Sequence, residues 1–100
     1  MVNLWIDDER NPPDGWVWAK TALAAIKALR TCQFDTISFD HDLGDGGTGY
    51  EVLLYLEAEV FRDPNYKCPK MVIHSANPVG RHRMWQAIES IQRKIESASQ

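Results

Sequence analysis

An α/β domain built on a parallel sheet is the fold class this chain predicts, and three observations predict it. Short apolar runs recur, and each stops in a cluster of ionisable residues: Leu4-Trp5-Ile6 before Asp7-Asp8-Glu9-Arg10, Ile37-Ser38-Phe39 before Asp40-His41-Asp42, and Met71-Val72-Ile73 before His74-Ser75-Ala76-Asn77. Each run is followed, directly or after a loop, by a segment with helical spacing, and alternating strands and helices fold most readily into a parallel sheet. Such a sheet presents the carboxyl ends of its strands along one edge, where ligands bind. Carboxylates, imidazoles and a hydroxyl brought there from three strands mark a candidate site.

Val2 to Asp7 reads as a buried strand, bounded by charge. Residues 9–15 carry Pro12, Pro13, Asp14 and Gly15, and two prolines remove donors and fix φ, so this stretch is a loop. Trp16-Val17-Trp18 gives a second short strand. From Thr21, Ala22, Leu23, Ala25, Ile26 and Leu29 recur at helical spacing, with Thr21 or Lys20 near the cap. Thr36 to Asp40 is the third strand. Gly44, Gly46, Gly47 and Gly49 make a loop too irregular for a dinucleotide fingerprint or a P-loop. Tyr50 to Phe61 follows as a helix, with Val52, Leu53, Leu56 and Val60 on one face. Met71 to Ser75 is the fourth strand. Asn77-Pro78 opens a last helix whose Met84, Ile88, Ile91 and Ile95 form an apolar stripe. Trp5 and Trp85 are expected in the core. Trp16 and Trp18 adjoin the proline loop, to pack there or to stack on a base.

One hundred residues make one domain, expected over residues 1–96, with 97–100 frayed. The apolar fraction of 44% is that of a globular chain. A formal charge of −3 gives no reason to expect long nucleic acid as a partner, although a small nucleotide held by local cations is compatible with it. No apolar run approaches the roughly 18 residues of a membrane span, and the first residues lack the basic and apolar regions of a signal peptide. A cytoplasmic protein is therefore the expectation. Cys32 and Cys68 do not form a zinc pattern and read as free thiols.

Asp7-Asp8, Asp40 and Ser75-Ala76 make the chain resemble a response-regulator receiver domain, in which an acidic pair ends the first strand, an aspartate the third, and Ser or Thr followed by Ala the fourth. The resemblance implies a truncated, flavodoxin-like three-layer sandwich with a four-stranded parallel sheet. Two departures stand out. A Pro-Pro loop takes the place of the first receiver helix, and the fifth strand with its phosphate-sensing lysine is missing, which argues against a phosphorylation switch at Asp40. A closer resemblance is to the cyclic-phosphate-processing receiver-like domains. It rests on Asp7-Asp8-Glu9-Arg10-Asn11-Pro12, on Asp40-His41-Asp42-Leu43-Gly44, and on His74-Ser75-Ala76-Asn77-Pro78-Val79-Gly80.

If the strands align as in a receiver, Asp7, Asp8, Asp40 and Asp42 lie close together. Two carboxylates about 4 Å apart repel by roughly 4 kcal/mol at an effective dielectric near 20. Such a group takes up protons, meets fixed cations or binds a divalent ion. Hard oxygen ligands at Asp7, Asp8 and Asp40 favour magnesium or manganese; alternatively, one or two of these aspartates only cap loops. His41 and His74 are candidates for moving protons in phosphoryl chemistry, or for organising the site through an aspartate, with Asp40 beside them. Arg10 and Arg81 are candidate phosphate ligands. Arg10 has the alternative of a salt bridge to Asp8 or Asp42, and Arg83 that of a solvated surface. Arg81 sits early in a helix whose N-terminus offers amides to an anion. Ser75 is a candidate hydrogen-bond donor to phosphate, and Asn77 a helix cap or ligand contact.

These residues and the resemblance together imply a phosphoesterase acting on a cyclic phosphate, carried by a nucleotide, a cyclic nucleotide signal or an RNA end, with metal assistance possible. Two alternatives stay open: a module that sequesters a nucleotide without cleaving it, and a degenerate receiver used for protein contact, for instance a homodimer formed through its edge strand.

Overall fold

The computed structural model describes residues 2–98. Four parallel strands form one sheet: β1 (Asn3–Ile6), β2 (Val17–Ala19), β3 (Thr36–Phe39) and β4 (Lys70–Ile73), in the spatial order β2-β1-β3-β4. The register aligns Leu4 with Ile37 and Met71, and Trp5 with Ser38 and Val72. Three helices complete the fold: α1 (Ala22–Thr31), α2 (Gly49–Arg62) and α3 (Pro78–Ala98). Ser99 and Gln100, half of the tail expected to fray, lie outside the described residues.

Helix starts follow the local chemistry. The Thr21 hydroxyl accepts the Ala24 amide, and the Thr48 hydroxyl accepts the Glu51 amide. At α3 the Asn77 side chain accepts the amides of both Val79 and Gly80. The helix that the sequence opens at Tyr50 therefore begins one residue earlier, behind a Thr48 cap.

The receiver-like α/β fold and its parallel sheet stand as expected, but the layer count does not. Successive parallel strands are joined by right-handed crossovers, so connections that step across a sheet in one direction lay their helices on one face. From β2 over β1 to β3, and from β3 to β4, the steps share a direction, and α1 packs against α2 and α2 against α3. The step from β1 back to β2 would put a helix on the opposite face, and there the chain has the proline loop. The described residues therefore form two layers, not the three of a sandwich. All the strand residues of the apolar core (Leu4, Ile6, Ala19, Ile37, Phe39 and Met71) meet the helices, where Ala25, Leu53, Leu56, Met84, Ile88 and Ile91 are buried.

The opposite face carries Trp5, Ser38 and Val72, and its cover is the loop after β1. The Trp5 indole N–H donates to the Arg10 carbonyl at 2.9 Å and the Trp18 indole N–H to the Asp7 carbonyl at 2.7 Å. Trp16 meets Trp5 edge to face at 5.9 Å. Trp5 is thus half-buried under this cover and outside the core, and Trp85, also expected inside, is 40% exposed on α3. No helix among the described residues is long and apolar enough to cross a membrane.

Candidate functional site

The carboxyl ends of β1 and β3 deliver Asp7, Asp8 and Asp40 to one place, where an oxygen from each lies within 4.8 Å of the others. Adjacent register brings this about: Ile6 pairs with Phe39, so the residues that follow them leave the sheet side by side. Asp42 is not in that group. It is exposed, and its Oδ1 accepts the Gly44 amide, which makes it a loop cap.

Asp7 is 1% exposed and thoroughly engaged. Its Oδ1 accepts the amides of Glu9 and Arg10, both at 2.9 Å, and its Oδ2 lies 2.9 Å from His74 Nε2. Burial alone pushes this carboxyl up; the Arg10 and Glu9 amides and the His74 ring outweigh it and leave it below its ordinary value. His74 is held below its ordinary value too, because burial outweighs the attraction of Asp7. Neutral imidazole against ionised carboxylate is the state that results. Its other nitrogen, Nδ1, lies 2.7 Å from Ser38 Oγ, and its ring stacks on Trp5 at 3.7 Å and 3°. Both ring nitrogens of His74 are therefore committed within the protein.

His41 is held differently. Its ring packs against α3 so closely that a Cβ on Gly80 would sit 2.4 Å from His41 Cγ. Among the described residues its Nδ1 is buried without a partner, and its amide donates to Asp40 Oδ1. A similar close approach places α2: a Cβ on Gly49 would fall 2.1 Å from the Asp40 carbonyl oxygen.

Two guanidiniums flank the end of β4. Arg10 Nη1 donates to the His74 carbonyl at 3.2 Å, and Arg81 Nη1 to the Ser75 carbonyl at 3.0 Å. Arg10 thus docks on a strand-end carbonyl in place of the salt bridge to Asp8 or Asp42. Each fork keeps further donors beyond that one bond. Ser75 is buried, and its hydroxyl accepts the Asn77 amide. Asn77 is the helix cap. Because its side chain consumes the Val79 and Gly80 amides, the start of α3 offers an anion less than the sequence implied. Arg83 is exposed with its guanidinium 4.6 Å over the Tyr50 ring.

Asp7, Asp8 and Asp40 form a hard-oxygen donor set, the chemistry that suits magnesium or manganese, with both Asp7 oxygens and Asp40 Oδ1 already taking bonds from the protein itself. Ser38, which is not among the candidates the sequence offers, belongs to this region. Its signal in the sequence is a hydroxyl inside an otherwise apolar run. The cysteines stand apart: Cys32 is exposed, and burial pushes the Cys68 thiol up to about 11.

A family model described as the cyclic-phosphate processing receiver domain matches residues 2–90. No curated protein and no solved structure matches the chain.

Proposed function

We propose, from the premise that this chain belongs to the cyclic-phosphate processing receiver family, that it is a phosphoesterase opening a cyclic phosphate on a nucleotide, a cyclic nucleotide signal or an RNA end. The observation that carries the reading is the convergence of Asp7, Asp8 and Asp40 within 4.8 Å, with the guanidiniums of Arg10 and Arg81 anchored at the end of the neighbouring strand β4. Asp7, Asp8 and Asp40 are the residues that would hold magnesium or manganese, which supplies charge neutralisation and an acidified water. The remaining donors of Arg10 and Arg81 bind phosphoryl oxygens and oppose the charge that builds there. In hydrolysis a water oxygen bonds to phosphorus and gives up a proton, one ring P–O bond breaks, and the departing oxygen takes up a proton. His41 serves that transfer, since its ring is not tied at both ends. His74 keeps Asp7 in place.

The test is turnover of 2′,3′-cyclic nucleotides and cyclic dinucleotides with and without EDTA, followed by chromatography. Ring-opened product is expected, lost on chelation and reduced ~10²–10⁴-fold in His41→Ala. Intact ligand throughout, in the presence of magnesium and manganese, overturns the enzyme reading. A second reading, a module that sequesters the nucleotide, is favoured by the commitment of both His74 nitrogens to internal bonds and by the burial of Ser75. Recovery of uncleaved ligand in a one-to-one complex is its signature.

A further inference from the structure

We infer that Ser38 is a positioning residue for the carboxylate site, acting through His74; the inference rests on reading Asp7, Asp8 and Asp40 as the working centre. Ser38 lies mid-sheet on β3, 3% exposed, between the core residues Ile37 and Phe39. A hydroxyl buried there without a partner would lose its bonds to water and gain none in return. Its partner is His74 Nδ1 at 2.7 Å. At the far side of the same ring Nε2 meets Asp7 Oδ2 at 2.9 Å, and the flat of the ring rests on Trp5. The imidazole is thus fixed from β3, from β1 and from the residue that follows β1. An ionised carboxylate has no proton to give, so Nε2 carries the hydrogen and Nδ1 accepts from the Ser38 hydroxyl.

A row of serine, histidine and aspartate invites comparison with a hydrolytic triad, but the wiring is reversed. In a triad the aspartate is the remote anchor and the serine meets the substrate. In this chain Asp7 is the member grouped with the other carboxylates, and Ser38 lies under the imidazole, one pleat below the strand ends. A covalent role for Ser38 has no line of approach to phosphorus. Orientation is what its position can supply: Ser38 sets the ring, and the ring sets Asp7 Oδ2. Residues that steady a ligating carboxylate from behind typically cost about 10–100-fold in ion affinity when removed.

Long-range proton–nitrogen spectra of the imidazoles in the metal-free protein test this directly, paired with magnesium titrations of wild type, Ser38→Ala and Ser38→Thr. In Ser38→Ala the His74 Nδ1 resonance should move toward that of an unbonded ring nitrogen while His41 and His82 stay in place. Magnesium affinity should fall about 10-fold or more, and Ser38→Thr should recover both readings. An unchanged Nδ1 resonance in a folded Ser38→Ala protein overturns the inference. So does magnesium affinity equal to wild type in that variant. Magnesium that fails to bind the wild type, with Nδ1 still responding, counts against the metal reading alone and for the positioning role.

Discussion

The two faces of the sheet are stabilised by different physics. Against the helices, Leu4, Ile6, Ile37, Phe39 and Met71 are sealed among aliphatic side chains, and shape and volume decide what fits. On the other face, Trp5, Ser38 and His74 are held by directed contacts: a ring stack, two bonds to one imidazole, and indole N–H groups reaching loop carbonyls. Apolar packing tolerates imprecise orientation, whereas each contact on the second face fixes an angle. The carboxylate that the site depends on is tied to the second face.

The sharpest way to break this contrast is to truncate one residue on each side. Ile37→Ala should lower unfolding free energy by about 2–5 kcal/mol, because Ile37 is fully buried. Val72→Ala, half-buried on the other face, should cost about 1 kcal/mol. Equal losses in urea titrations would mean that the second face is packed like the first. A smaller effect is expected where the helical layer reaches the site. Gly80→Ala should cost about 1–3 kcal/mol through the clash with His41 and should shift the His41 ring resonances.

The smallest expected effect is in the pH dependence. His74 is held below its ordinary value of 6.5, so the unfolded chain takes up a proton first as pH falls. Its contribution is complete above about pH 6.5 and is lost on acidification towards the folded value, with a slope of at most about 1.4 kcal/mol per pH unit. Asp7, also held low, contributes above its ordinary 3.8 and loses that contribution only below it. Urea midpoints of wild type should therefore decline between pH 7 and 5. His74→Gln should flatten that window and leave the loss below pH 4 in place.

Much of this was legible in the chain because the informative residues sit at strand ends. An apolar run that stops in Asp7-Asp8 or in Asp40-His41 announces both a strand and the edge it reaches, and the parallel arrangement then brings the three carboxylates together. The layer count was not legible, because it depends on the direction in which each crossover steps, a property of strand order. Trp5 misled as a core residue because alternation shows that a side chain has a face and not what covers that face. The partnership of Ser38 with His74 spans 36 positions and follows only from the sheet register. Asn77 before Pro78 is legible as a cap or a ligand contact; that it caps α3 and takes two helix amides follows only from seeing both bonds at once.

The loop that stands where a helix might have been is pinned by two indole N–H groups, one to Arg10 and one to Asp7. Trp5 and Trp18 are therefore optical gauges fitted at the two anchor points of the segment that leads away from the carboxylates. Any ligand that lifts or tightens the segment must change the polarity around an emitter. The molecule carries its own fluorescent readout of that loop, with no added dye.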